Sequence, residues 1–221
     1  MQHYKLAASI LSADWAYLAE DCKAMLEAGV DALHLDIMDH HYVPNLTFGA
    51  NVCAALTKAG IKTFYDVHLM VEHPEQYLDP FYKAGANCFT FHPTTTHDPK
   101  KLLQAIHQKG MKAGLAFNPD EAIAVDDETL KLCDMILIMS VFPGFGGQKF
   151  MPEVLKKVPS LLLRCKQLGI DPMIAMDGGI HLETIQLAKD VGVNYFVMGS
   201  GLFGADNYQR RVLDYRSMLE K

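Results

Sequence analysis

Residues 34–39 read His34-Leu-Asp-Ile-Met-Asp39, and the alternation inside this stretch decides how the chain around it is read. Successive side chains of an extended strand point to opposite faces. His34, Asp36 and Met38 therefore share one side, and Leu35 and Ile37 the other. About thirty residues later the pattern returns in Asp66-Val-His-Leu-Met70, where Asp66, His68 and Met70 alternate with Val67 and Leu69. Imidazole and carboxylate are the donors that hold a borderline divalent cation. Two such strands side by side bring His34, Asp36 and His68 toward one ion. Either segment alone reads as half-buried polar residues satisfied by backbone groups; their duplication favours the metal.

Outward from these two strands, short apolar runs alternate with longer helix-patterned stretches in eight units. Leu6–Ile10 and a helix over 13–28 form the first, Ala32–Met38 and 49–59 the second, Lys62–Met70 and 74–84 the third, and Asn87–His92 and 99–109 the fourth. Met111–Phe117 follows, with an ill-defined helix somewhere within 120–132. Asp134–Met139 with 152–168, Pro172–Met176 with 182–191, and Asn194–Met198 with 206–219 complete the series. Strands separated by crossover helices pair in parallel. Eight of them without a linker or low-complexity break predict a closed (β/α)₈ TIM barrel, one domain over 1–221.

Composition narrows the class of function. Half of the 221 residues are hydrophobic and the formal net charge is −6, with Lys and Arg scattered, so neither a nucleic-acid nor an anionic-membrane surface is expected. The five cysteines, Cys22, Cys53, Cys88, Cys133 and Cys165, have no close spacing, which predicts reduced, buried thiols and a cytoplasmic protein. The start has no signal-like apolar core, and no run is long enough to span a bilayer.

Barrel active sites lie where strands end and the following loops begin. Ser9, His34, Asp36, Met38, His68, Met70, His92, Asn118, Met139, Ser140, Asp177, Gly199 and Ser200 all fall at that end. Asp177, at the end of the seventh strand, faces Asp36 across the cavity. Two such carboxyls suit a reaction in which one removes a proton and the other supplies one to the opposite face, inverting a carbon centre. If Asp177 joins His34, Asp36 and His68 as a fourth ligand, the metal acts as a Lewis acid on adjacent substrate oxygens and stabilises an enediolate. Asp-Gly is also a common turn pair, so a purely structural Asp177 stays open. Glycines carry the second signal: Pro143-Gly-Phe-Gly-Gly-Gln148, Gly178-Gly179 and Gly199-Ser-Gly201 follow three consecutive strands. Loops without Cβ bulk let backbone N–H groups close on a phosphate. Met38, Met70 and Met139 suit packing against a planar enediolate or ordinary core filling. Ser9 is placed to bind a substrate hydroxyl. His92 and Asn118 read as structural, and the remaining histidines as surface residues.

Together, Ser9-Ile-Leu-Ser-Ala-Asp14, His34–Asp39 running into Tyr42-Val-Pro-Asn45, Asp66–Met70, Pro143–Gln148, Asp177-Gly-Gly179 and Gly199-Ser200 resemble the ribulose-phosphate 3-epimerase family over essentially the full chain. The resemblance implies interconversion of ribulose 5-phosphate and xylulose 5-phosphate. It implies a divalent metal (zinc, iron, manganese or cobalt) on His34, Asp36, His68 and Asp177, with Asp36 and Asp177 as the acid/base pair. It further implies phosphate contacts at Gly146, Gly147, Gly178, Gly179, Gly199 and Ser200, sugar contacts at Ser9 and His34 and at the pocket methionines, and a homo-oligomer; His68 is counted among the substrate contacts as well. Four positions depart from the family pattern: Phe142 stands for the usual Asn, Ala175 for Glu, Ala8 for Pro, and His40 for Gly or Asn. Ala175 is expected to cost a carboxylate that orients a metal ligand, and Phe142 to narrow the mouth. Two competing readings are a ketohexose 6-phosphate 3-epimerase and a sugar-phosphate-binding barrel without turnover. A Schiff-base aldolase is disfavoured, because no lysine sits at a strand end.

Overall fold

The computed structural model describes residues 4–220. Its strands are β1 (Lys5–Ser9), β2 (Ala32–Met38), β3 (Phe64–Met70), β4 (Cys88–Phe91), β5 (Lys112–Phe117), β6 (Met135–Met139), β7 (Met173–Asp177) and β8 (Tyr195–Met198). They close in sequence order, every pair parallel, with β8 hydrogen-bonded to β1. The eight-unit reading of the sequence and its TIM barrel are what the chain forms. The outward-facing residues, such as Leu33, Leu35, Val67 and Leu69, pack under the helices in the main core. The inward-facing residues alternate with them and fill the barrel lumen.

The helices are α1 (Leu18–Glu27), α2 (Ala50–Lys58), α3 (Leu78–Ala84), α4 (Pro99–Gln108), α5 (Asp127–Leu130), α6 (Lys157–Leu168), α7 (Ile185–Asp190), α8 (Ser200–Phe203) and α9 (Tyr208–Glu220). Several are shorter than the sequence pattern, because their first turns are 3₁₀: Trp15–Tyr17 precedes α1, Pro74–Tyr77 precedes α3 and Pro152–Lys156 precedes α6. The ill-defined fifth helix shrinks to four residues, and the reason is tertiary. Lys157 on α6 donates to the carbonyls of Asn118, Pro119 and Glu121, and Arg164 donates to those of Ile123 and Val125. Carbonyls that a helix would have paired internally are taken by side chains of the next helix. The short α8, after the Gly199-Ser200 turn, was not among the sequence expectations.

At the N-terminal rim a repeat ties strands in pairs. Asp31, Asn87, Asp134 and Asn194 each stand one residue before an even-numbered strand. Their side-chain oxygens accept from the N–H groups of Leu6, Tyr65, Ala113 and Ile174 on the preceding odd strand, at 2.8–2.9 Å. An Asp or Asn there satisfies a strand-end donor that the ladder leaves open. Asp31 also binds Arg216 of α9 at 2.6 Å, while Arg216 donates to the carbonyls of Tyr4 and Gly29. This end is built for stability, which leaves the other rim to chemistry.

His40, in the loop after β2, has φ +63°. That left-handed conformation suits Gly or Asn and strains other side chains, which explains why the family pattern has Gly or Asn there. All five cysteines are buried and free. Among the described residues no helix is long and apolar enough to cross a membrane.

Candidate metal centre and active site

The β2–β3 register pairs His34 with Asp66 and Asp36 with His68. Two alternating strands in this register put two imidazoles and two carboxylates on adjacent rungs of one inner wall. β7 supplies the third side, bringing Asp177 in from beyond β8 and β1. One donor atom from each of His34, Asp36, His68 and Asp177 lies within 4.8 Å of all the others. His34 Nε2 stands 3.4 Å from Asp36 Oδ1 and 3.9 Å from Asp177 Oδ2, and His68 Nδ1 stands 3.6 Å and 3.9 Å from the same two oxygens. These gaps are too long for good hydrogen bonds. They approach the ~3.4 Å that separates two ligands each about 2.1 Å from one tetrahedral ion.

His34 Nε2 and His68 Nδ1 are both buried without a hydrogen-bond partner. Such atoms are costly unless something binds them, and here both aim at the same gap between carboxylates. A divalent cation fits that gap, and the other nitrogen of each ring is already held. His34 Nδ1 is 2.8 Å from Asp66 Oδ2, and His68 Nε2 is 3.0 Å from His92 Nε2. A hydrogen bond to the far nitrogen fixes the tautomer and aim of a ligating imidazole. A carboxylate that orients a metal ligand is therefore present despite Ala175, contributed to His34 by Asp66 from β3. His92 orients His68 instead of serving only the fold. The signal for Asp66 was in the second alternating stretch, one rung below His68; the partner of His92 became visible only when β3 and β4 met.

The two acids sit in opposite electrostatic surroundings. Burial pushes the Asp177 carboxyl up, and the neighbouring Asp36 charge pushes it further, to about 7. Burial works the same way on Asp36. The adjacent imidazoles, His34 first and then His68, outweigh it and hold Asp36 below the usual carboxylate range. Ser9 Oγ donates to the other Asp36 oxygen at 2.5 Å. The two carboxyls of one cluster are thus shifted in opposite directions, Asp36 down and Asp177 up.

Above this floor opens a cavity whose walls include Ser9, Met38, Met70 and Met139, along with Asp36 and Asp177. The three methionines are almost completely buried. The glycine loops with Gly146, Gly147, Gly178, Gly179, Gly199 and Ser200 form its other side. A Cβ at Gly179 (φ +63°) would sit 2.5 Å from the Phe150 backbone nitrogen, and one at Gly199 would sit 2.4 Å from Ser12 Oγ. Only glycine lets these loops close so tightly, which leaves bare backbone along this side of the cavity. Ser140 holds this backbone from below, donating to the carbonyls of Asp177 and Gly178. Gln148 closes the β6 loop by donating to the carbonyls of Phe142 and Phe145.

Some expected contacts differ. His34 and His68 are fully buried beneath the cavity and do not line it, so they meet a ligand through whatever they coordinate. Phe142 is half exposed and lies outside the lining, so it does not narrow the mouth. Asn118 anchors loops, donating to Tyr42 Oη at 2.8 Å. His181, grouped with the surface histidines, lines the cavity beside the Gly178-Gly179 turn; nothing in its local sequence distinguishes it.

Residues 5–203 match the model of the ribulose-phosphate 3 epimerase family. The chain is 42% identical over 221 residues to a ribulose-phosphate 3-epimerase of Escherichia coli K12, covering all of this chain and 98% of that one. It is 43% identical over 220 residues to a protein of the same name from Buchnera aphidicola, covering 96% of it. Among solved structures it resembles a 3-hexulose-6-phosphate synthase with a TM-score of 0.68 at 17% identity, covering 97% of this chain and 99% of that one; this likeness speaks for the fold alone. A full-length match at such identity, over a barrel whose mouth holds the His34, Asp36, His68 and Asp177 cluster, means that the chain belongs to the ribulose-phosphate 3-epimerase family.

Proposed function

We propose that the protein is a metal-dependent isomerase that inverts the third carbon of a ketopentose 5-phosphate, interconverting D-ribulose 5-phosphate and D-xylulose 5-phosphate. The observation that carries this reading is the pair Asp36 and Asp177, brought within a few ångströms of each other from β2 and β7 in one cluster with His34 and His68. Asp36 takes the proton from one face of the substrate carbon while Asp177 delivers its own to the other; the reverse reaction exchanges the roles. His34, Asp36, His68 and Asp177 hold one divalent cation, and a donor set of two imidazoles and two carboxylates suits zinc, iron, manganese or cobalt. When bound, it supplies Lewis-acid stabilisation of the negative charge on the substrate's adjacent oxygens. Ser9 keeps Asp36 aimed and meets a sugar hydroxyl. Met38, Met70 and Met139 pack against the flattened, deprotonated substrate without offering it a proton.

The glycine cradle at 146–147, 178–179 and 199–200 takes the phosphate through backbone N–H groups, setting its distance from the reacting carbon. Self-association belongs to the same reading, supported by the exposed side chains of Trp15, Tyr17, Leu46 and Phe145; sedimentation as a monomer would remove it. A reducing, cytoplasmic setting is supported by the five buried free thiols.

The decisive experiment incubates the metal-loaded protein in deuterated water with ribulose 5-phosphate and, separately, with a ketohexose 6-phosphate. Deuterium uptake at the third carbon, together with inversion of the pentulose, is expected. Preferred exchange of the hexulose, or tight binding of either sugar without exchange, would overturn the assignment. Elemental analysis of protein purified without added metal identifies the ion.

A further inference from the structure

One large polar side chain stands in the barrel lumen below the metal ligands. Tyr195 of β8 faces Ala175 of β7 in register and shares its interior cluster with Ala7, Ala32 and Ala175. The next residue, Phe196, points outward and stacks near Tyr4. The three methyl-sized alanine side chains leave room for the Tyr195 ring, which is 2% exposed and shares the cluster with the larger Met135, Leu137 and Met139. Its hydroxyl is buried with no hydrogen-bond partner. Asp66 Oδ1 is in the same condition, and it is the free oxygen of the carboxylate whose other oxygen holds His34. Cys88, which belongs to the same interior cluster as Tyr195, is the register partner of Asp66 on β4, so the phenol and the carboxylate face one stretch of the lumen; burial, and then the Asp66 charge, push the Tyr195 phenol well above the ordinary tyrosine range.

A buried polar group left without a partner is costly. A donor and an acceptor left open side by side have one shared remedy. We infer that Tyr195 is a positioning residue for the metal centre: its hydroxyl donates to Asp66 Oδ1, directly or through one buried water, and so fixes the carboxylate that aims His34. A carboxylate held by one oxygen can still swivel about its Cβ–Cγ bond; one held by both cannot. The chain Tyr195, Asp66, His34 then runs from β8 through β3 to β2. It assigns a use to the departure at position 175, since only a side chain as small as alanine leaves the tyrosine its place. The inference rests on the metal reading above.

The test is metal binding, read independently of turnover. Metal-free protein is titrated with cobalt(II) against a competing chelator, and the ligand-field spectrum of the bound ion is recorded. Tyr195→Phe removes only the hydroxyl. It is expected to weaken cobalt binding by about tenfold, at the lower end of what loss of an outer hydrogen-bond partner costs a metal site, and to shift the visible bands. In an Asp66→Ala background the same change is expected to have no further effect, because the hydroxyl has no carboxylate left to hold. Equal affinity and spectrum in wild type and Tyr195→Phe would overturn the role of Tyr195 and leave the metal reading intact. An equal loss in both backgrounds would also overturn it, since that is the mark of general loosening. A wild-type protein that takes up no cobalt would overturn the metal reading and the inference with it. Unchanged affinity and spectrum in Tyr195→Phe overturn the inference even if Asp66→Ala does not fold, and Asp66→Ser then serves as the second background.

Discussion

Replacing Asp177 by Asn tests the two-acid arrangement most directly. The amide is nearly isosteric and keeps an oxygen able to face a cation, but it can neither carry nor release a proton at neutral pH. Its register neighbours on the flanking strands are Met139 of β6 and Val197 of β8, neither a proton carrier, so water is the substitute on that face. A positioned general acid or base contributes roughly 10²–10⁴-fold, which at 1.36 kcal/mol per decade is about 2.7–5.4 kcal/mol of barrier. Inversion by Asp177→Asn should fall by that factor with the metal site saturated and its content measured. Asp36 remains, held ionised by His34 and His68, so proton removal from its own face should persist. One of the two epimers should therefore still exchange its third-carbon hydrogen with deuterated solvent near the wild-type rate, while the other is inert. Asp36→Asn should show the opposite preference. NMR of each epimer in deuterium oxide reads both quantities. Inversion within tenfold of wild type, or exchange of both epimers by either variant, would refute the assignment of one carboxyl to each face.

Four further outcomes follow from particular contacts. Chelator treatment should abolish inversion, and a divalent ion should restore it; activity that survives complete metal removal would contradict the role given to the His34, Asp36, His68 and Asp177 cluster. Gly179→Ala should raise KM for the phosphorylated sugar well above any change in kcat and lower the melting temperature, since its Cβ would meet the Phe150 backbone at 2.5 Å; unchanged KM would argue against the cradle. His40→Asn should raise unfolding free energy by about 0.5–1 kcal/mol by relieving a left-handed backbone, measured by urea titration, and a loss of stability would refute the strain. Partial burial opposes the Asp31 charge, but the Leu6 N–H, the Arg216 guanidinium and the Lys5 ammonium outweigh it and hold its carboxyl below the usual range. A depressed folded pKa gives stability that is present above the unfolded value and lost as pH falls through the folded one. Asp31→Asn should therefore cost about 1–2 kcal/mol at pH 7, with the gap to wild type closing below about pH 4; a gap constant down to pH 2 would refute it.

What the sequence determined by itself was whatever repeats locally. Strict alternation in Ala32–Met38 and Phe64–Met70 requires that His34 and Asp36 share a face of one strand and Asp66 and His68 a face of the other, because the period of an extended chain is two wherever the strand lies. Eight apolar runs separated by helix-length stretches left a parallel closed sheet as the economical arrangement, and Gly pairs after consecutive strands marked the anion cradle. Tertiary structure decided everything that depends on which strands become neighbours. The β2–β3 register set Asp66 against His34, the meeting of β3 and β4 set His92 against His68, and closure of the ring brought Asp177 within reach of Asp36. The shortening of the fifth helix was decided the same way, by Lys157 and Arg164 reaching back from α6. The Asp or Asn before every second strand was present in the sequence yet unreadable there, since a side chain that caps a neighbouring strand looks, in one dimension, like any other turn residue. The physical reason is common to all of these: propensity and alternation act through adjacent residues, whereas pairing, orientation of a ligand and a shifted carboxyl arise from groups tens to more than a hundred residues apart that only the closed barrel brings into contact.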